Sequence, residues 1–379
     1  MFIYLALILF CFLLAFFKLP KFVENGALIL IGIFLCTGYM TGTDWQLYEL
    51  FYNSAKFSEQ AAENKEFGYF WLQGLIARTG VDFWFFHIVV KLLVFYTLVY
   101  FIRSFKVNVF LFLALFIPEV GLYLFVDCPF RNMIAFGFTL LAFKQLFDNK
   151  ILLYFVFVTI ATFFHLSAVI MVLIYFVYKI NIKIYLVLII TIISYIAAFN
   201  IEFLIEKVYI PLADMSPIVK DRLKGYFLNT RYIAGEINRG TYVRLFILLI
   251  LLLFKQNIIS GDKKIQYIYN ITISFILIYP FGVSMKILHR FSIYLIPFYV
   301  FSVIYLLQSF QIKTNKYILY SFFALWSLMQ TYVLVIYDYR YVPYSNYLVH
   351  WVKKDLQDFE YRADFNKKYS PYKRPASKK

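Results

Sequence analysis

Apolar runs of membrane-spanning length follow one another from residue 2 to residue 337, mostly separated by short polar gaps. A helix needs about 20 apolar residues to cross a bilayer, or fewer when it is short or broken inside a bundle, and every backbone polar group must be satisfied within it. Runs near 2–17, 26–41, 82–102, 107–126, 130–147, 166–179, 184–200, 241–255, 265–282, 291–309 and 316–337 read as spans. The stretch 151–164 is shorter and passes through His165 into the next run. One long tilted helix, or two short helices meeting at His165, would accommodate it. The expected fold is an all-α, polytopic integral membrane helical bundle with about 11–13 transmembrane helices. Only 15% of the 379 residues are charged and 63% are hydrophobic, whereas a soluble domain carries roughly 25% charged residues. One membrane domain over 1–340 is expected, with no separate soluble domain.

The net charge of +16 does not point to nucleic acid, because the basic residues are scattered between apolar runs rather than gathered in a stripe. Membrane topology accounts for most of them. Lys18 and Lys21, Arg103 and Lys106, Lys144 and Lys150, Lys179 and Lys183, Lys255 with Lys263 and Lys264, and Lys313 with Lys316 all fall on one face when 151–164 is counted as a separate pass. Lysine and arginine mark the cytoplasmic side, so the longer gaps near 42–81 and 201–240 become outer-face loops, together with 283–290. Residues 45–52 and 67–77 are too short to span and read as interfacial or re-entrant helices. The segment 341–379 reads as an amphipathic stretch and a basic, disordered tail. Three cysteines, Cys11, Cys36 and Cys128, lie far apart and have no metal-ligand spacing. The first apolar run has no basic n-region and no cleavage site, and reads as a retained span.

Against this pattern, Arg131, Arg231, Arg239, Arg244 and Arg290 sit in or beside gaps on the exported side, where positive charge is disfavoured. In Asp127-Cys-Pro-Phe-Arg131 the proline is a plausible first-turn residue, which puts Arg131 at a helix start. The helix dipole disfavours a cation there but favours a bound anion. An Asp127–Arg131 ion pair at helical spacing and a guanidinium fork for a phosphate both fit, and the two are compatible. His289-Arg290 repeats the arrangement before another span. His165 sits in a long stretch free of ionisable groups other than tyrosine. It reads either as a proton-transfer residue or as a core histidine bonded to a neighbour. Asp44 in GTDW and Glu66 in KEFGYFWL are carboxylates flanked by aromatic rings, an arrangement suited to sugars; a helix cap and a solvated loop charge are the plain alternatives. No phosphate-binding loop, zinc-protease, serine-hydrolase or dinucleotide-binding motif is present.

These residues add up to a resemblance. GTDWQLYELFYN (42–53), EFGYFWL (66–72), FRNMIAFGFTLLAF (130–143), IATFFHLSAVI (160–170), HRFSIYLIP (289–297) and YVPYSNYL (341–348) resemble, in order and spacing, the EpsG/Wzy-like family of bacterial polysaccharide polymerases. The resemblance implies a multi-pass enzyme of the bacterial inner membrane whose active site faces the periplasm or cell exterior. There, oligosaccharide repeat units carried on undecaprenyl diphosphate are joined into a long surface polysaccharide. The growing chain is the donor and the lipid diphosphate leaves. No cofactor, metal or nucleotide sugar is implied, and a chain-length regulator is a possible partner beside the lipid bilayer. On that reading Arg131 and Arg290 act in catalysis and bind the diphosphate, with Arg239 and Arg244 beside them. His165 is the leading general base, with Asp44 or Glu66 as substitutes; Asp44, Trp45, Glu66 and Tyr69 otherwise recognise sugar. Polyprenyl-phosphate-dependent glycosyltransferase and O-antigen ligase are the alternatives. A flippase fits less well, for lack of an internal repeat.

Overall fold

The computed structural model describes residues 1–54, 67–204, 206–207, 239–285, 288–310 and 312–371. The chain is an all-α polytopic membrane protein, and its contacts divide it into two units, Met1–Val169 with Ile312–Lys379, and Ile170–Gln311.

The first unit opens with α1 (Phe2–Phe16) and α2 (Lys21–Cys36), then a two-residue strand, β1 (Gly38–Tyr39). Two short helices follow, α3 (Asp44–Asn53) and α4 (Phe67–Ala77), where the sequence pattern places interfacial segments. Next come α5 (Phe83–Arg103), α6 (Val109–Phe116), α7 (Phe130–Phe147) and α8 (Ile151–Phe164). Polar residues at the boundaries set the starts. Asp82 accepts hydrogen bonds from the amides of Trp84 and Phe85, and Asn108 from those of Phe110 and Leu111, satisfying first-turn donors that the helix itself cannot reach.

The run expected as one span over 107–126 does not stay α-helical. After α6 it widens into two π-helical turns, Ile117–Gly121 and Tyr123–Asp127. Pro118, inside the first, has no amide hydrogen to give, and π turns absorb such interruptions. Cys128 then takes a left-handed conformation, φ 58°, which costs an L-residue roughly 1–2 kcal/mol. At His165 the backbone is extended (φ −153°, ψ 121°), which ends α8. A 3-10 turn, Leu166–Val169, follows. Of the two readings of this stretch, two helices meeting at His165 is the one observed.

The second unit contains α9 (Ile170–Val177), α10 (Ile184–Phe199), α11 (Arg239–Leu253), α12 (Lys263–Ser284) and α13 (Ile296–Ser309). Here α12 is central, packing against α9, α10, α11 and α13. The chain then returns to the first unit through α14 (Lys313–Tyr337), β2 (Ser345–Asn346), α15 (Tyr347–Lys353) and α16 (Phe359–Tyr369). Residues 347–353 and 359–369 of the expected tail are thus helical, and 372–379 lie outside the described residues.

In the first unit α7 packs on α5 and α8, and α1 on α6 and α14. Phe112, Leu113, Ala114 and Phe116 of α6 are wholly buried, whereas Leu152 of α8 is 79% exposed and only 22% of the apolar window of α14 is covered by protein. Large apolar side chains left bare over whole helix faces suit lipid, not water, as the solvent. Phe83–Arg103, Lys263–Ser284 and Thr314–Tyr337 are long enough to cross a bilayer by themselves; the other apolar helices are shorter.

The strands bring the chain ends of the first unit together. Gly38 pairs with Asn346 and Tyr39 with Ser345, antiparallel. The Tyr4 hydroxyl donates to the carbonyl of Tyr341, and Tyr344 to that of Phe34. Gly42 donates its amide to the carbonyl of Arg340. It has φ +76°, and a Cβ there would collide with the carbonyl oxygen of Asp127. Both the left-handed φ and backbone contact require glycine. Gly42→Ala is expected to lower the yield of folded protein sharply, read as monodisperse material after detergent extraction; unchanged yield and melting would refute the close approach.

Candidate functional site

In the first unit the site is built around the start of α7. Pro129 is the cap residue and Arg131 lies in the first turn, where the sequence places it. Arg131 donates from Nε to the Tyr48 hydroxyl at 3.1 Å, and its guanidinium carbon lies 5.8 Å from the Tyr48 ring and 6.0 Å from that of Phe70. The expected Asp127–Arg131 pair does not form. Asp127 instead accepts from Arg340 Nη1 at 2.5 Å, because the π turn and the left-handed Cys128 turn its carboxylate toward the returning chain. Arg340 also holds Asp338, through Nε and Nη2.

One guanidinium therefore serves two carboxylates. Burial pushes Asp127 up to about 7, against the pull of Arg340, while the charges of Asp44 and Asp338 push the same way as burial. The folded state holds this proton more tightly than the unfolded one, so the contribution to stability is fully present below the ordinary carboxylate range and is lost as pH rises through about 7. In Asp127→Asn that part of the decline in thermal stability between about pH 4 and 7 should vanish; identical pH slopes for the two proteins would refute it.

The Phe130 ring, beside Arg131, lies 4.4 Å from the ring of His87, 5.7 Å from Tyr69 and 6.0 Å from Tyr48. The Tyr69 hydroxyl, His87 Nδ1 and both amide atoms of Asn132 are buried without a partner among the described residues. Each such group costs about 1–3 kcal/mol, and folded proteins keep few of them. On α5, His87 and Lys91 sit one turn apart, 2% and 1% exposed. The Cys128 sulfur lies 3.5 Å from His87 Nε2, and burial pushes its thiol up to about 12, so it is no nucleophile. Ionisable side chains inside an apolar span are expensive and mark function.

Of the expected sugar-binding residues, Asp44 is exposed in the first turn of α3, four residues before Tyr48, whose hydroxyl feels its charge. Trp45 is buried against Trp84 and Phe359, and Tyr69 is buried against Tyr48 and Phe70. Glu66 lies outside the described residues. His165 is buried, and its Nδ1 accepts from the amide of Ser167 at 3.2 Å. A backbone amide can only donate, so in the neutral ring Nε2 carries the proton. This bond belongs to the break between α8 and the 3-10 turn, which gives the histidine a structural duty.

Sequence reasoning missed a second feature of α3. Beside Tyr48, Glu49 accepts from Arg362 of α16 through both oxygens, at 2.6 and 3.0 Å. The rings of Tyr39, Trp45, Trp84 and Phe359 surround the guanidinium at 5.2–5.8 Å. Arg362 also donates to the carbonyls of Gln357 and Asp358.

The second unit holds the other expected cations. Arg244 is buried in α11, donates to the carbonyl of Gly240 at 3.1 Å, and stacks 3.9 Å above the Tyr279 ring with Phe275 and Tyr299 nearby. The Tyr195 hydroxyl is buried without a partner among the described residues. His289 and Arg290 open a one-turn helix that begins five residues after the end of α12, and a Cβ on Gly282 would come within 2.9 Å of the His289 backbone. Arg239 begins α11; its side chain and all of Arg231 lie outside what the structure describes. Among the described residues no cluster of histidine, cysteine and carboxylate groups could hold a metal.

In each unit, helices with bare apolar faces enclose a buried or half-buried arginine and, among the described residues, buried polar groups without a partner, the marks of a polytopic membrane protein with polar interiors. Residues 26–346 match the model of the EpsG family, and the chain belongs to that family. No curated protein and no solved structure matches it. Membership supports a polysaccharide-polymerase-like function in a membrane protein. The matched stretch includes Asp44, Arg131, His165, Arg244, Arg290 and Arg340, and ends before Arg362.

Proposed function

We propose that this protein polymerises oligosaccharide repeat units carried on undecaprenyl diphosphate, at the outer face of the bacterial inner membrane. The observation that carries the reading is Arg131, held by Tyr48 in the first turn of α7, beside buried polar groups that have no partner among the described residues. A hydroxyl of the incoming unit attacks the anomeric carbon of the growing chain. The bond from that carbon to the diphosphate oxygen breaks, its electron pair stays on the diphosphate, and the hydroxyl proton passes to a base. Fixed guanidinium groups stabilise the charge as it develops. Arg131 supplies this in the first unit; Arg244, Arg290 and Arg239 are the candidates in the second. Asp44 is the better-placed proton acceptor, being exposed on the helix that carries Tyr48. His165, with Nδ1 occupied, enters as an Nε2–H donor. Sugar recognition falls to Asp44 and Trp45 of α3, Tyr69 of α4 and Glu66, the residue before α4 in the sequence. A chain-length regulator and the bilayer are the partners proposed.

The test is the surface glycan of cells lacking the gene, complemented with the natural protein or with Arg131→Ala, Arg290→Ala or His165→Ala at equal membrane levels. Loss of long chains with survival of single repeat units supports polymerisation. Undiminished long chains in the deletion strain overturn it. Loss of complete repeat units points instead to a glycosyltransferase acting earlier.

A further inference from the structure

We propose that a cavity in the second unit, between the start of α10 and the end of α11, binds the headgroup of an anionic glycerophospholipid. The cavity has a volume of about 1100 Å³. Its polar wall includes Lys183, Lys255, Asn181 and Gln256, its apolar wall Leu188 and Leu253, and among the described residues no aspartate or glutamate lines it. Two ammonium groups without a carboxylate between them leave positive charge uncompensated.

The Lys255 ammonium is held in place before any ligand arrives. Lys255 donates from Nζ to the Asn181 side-chain oxygen at 2.9 Å and to the carbonyl of Ile182 at 3.3 Å. Lys183 is the cap residue of α10, and no side chain accepts from the amides of that first turn. The amide of Leu186 is given to the carbonyl of Lys183, and the helix dipole with the amides of Ile184 and Tyr185 before it favours a phosphate at the same place.

The apolar wall distinguishes a lipid from a free anion. Leu253 is 80% exposed, and a diacyl chain running along α11 would cover it. A phosphate ion would satisfy the lysines and leave Leu188 and Leu253 bare. Basic pockets at the ends of membrane helices recognise anionic headgroups, with each lysine near the surface worth about fivefold in affinity. None of these residues enters the proposed polymerisation, so the two readings stand or fall separately.

The experiment is native mass spectrometry of the full-length detergent-purified protein with added dioleoyl phosphatidylglycerol or dioleoyl phosphatidylcholine. Phosphatidylglycerol should be retained preferentially, and the double variant Lys183→Gln/Lys255→Gln should lose about 30-fold of that affinity. Leu188→Asp, which adds a carboxylate to the wall and leaves the Lys255 bonds in place, should lose it too. Lys18→Gln, in the other unit, should not. Lipid-free melting temperatures confirm that each variant is folded; if the double variant is not, Leu188→Asp decides. Equal retention of phosphatidylcholine, undiminished phosphatidylglycerol binding in the folded variants, displacement by millimolar inorganic phosphate, or preferred retention of a polyprenyl phosphate would each overturn the proposal.

Discussion

Arg362→Ala is expected to destabilise the first unit by about 3–5 kcal/mol, the usual cost of leaving one member of a buried ion pair without its partner. Glu49 and Arg362 are 6% and 8% exposed, so solvent cannot replace the lost charge. The four surrounding rings would then face a carboxylate, which their electron-rich faces repel. Thermal melting in detergent should drop, and α16 should become open to proteolysis. Replacing both residues together, Glu49→Met with Arg362→Met, should recover most of the loss, because apolar groups of similar volume often substitute for a buried pair without penalty. Arg362→Ala that melts like the natural protein would show that the pair contributes nothing. A double variant as damaged as the single would assign the effect to the bonds from Arg362 to Gln357 and Asp358.

The second large effect is on activity rather than stability. Arg131→Ala should reduce repeat-unit transfer by about 10²–10³-fold, the range seen when one donor to a developing anion is removed. The protein should stay folded, because the Arg131 side chain is only half-buried. Arg131→Lys should not restore the rate, since a lysine cannot present a planar fork to a diphosphate. Tyr48→Phe removes one hydrogen bond to a charged group and should cost about tenfold. Chain length from purified lipid-linked repeat units measures all three. Long chains made at the natural rate by a well-folded Arg131→Ala protein would remove Arg131 from the mechanism.

These two residues show how far the sequence can be read. Arg131 was legible because everything that places it is local: an apolar run, Pro129 at its edge, and a helix whose first turn must hold the third residue of Cys-Pro-Phe-Arg after the cysteine. The short helices α3 and α4, and the break at His165, were legible on the same terms. Arg362 was not, because its partner lies 313 residues away, just as the partner of Asp127 lies 213 residues away at Arg340. Local spacing favoured an Asp127–Arg131 pair; only the strand pairing of 38–39 with 345–346 reveals the competitor. The pair His87 and Lys91 is a different case. Two ionisable residues one turn apart within an apolar run were visible as text, and their buried surroundings came only with the packing of α7 on α5.

The return of the chain through β2 also dictates an order of assembly. Every helix of the first unit up to α8 is synthesised and inserted well before Arg340 and Arg362 leave the ribosome. Until then Asp127 and Glu49 are carboxylates waiting for cations that have not been made. The polar site of this unit can thus be completed only after α16 has been made, and its last closing step is docking of a short polar helix rather than insertion of a membrane one. A chain stopped at residue 346, where the family match ends, would insert every span yet leave Glu49 without its cation and the rings of Tyr39, Trp45 and Trp84 without the guanidinium they surround.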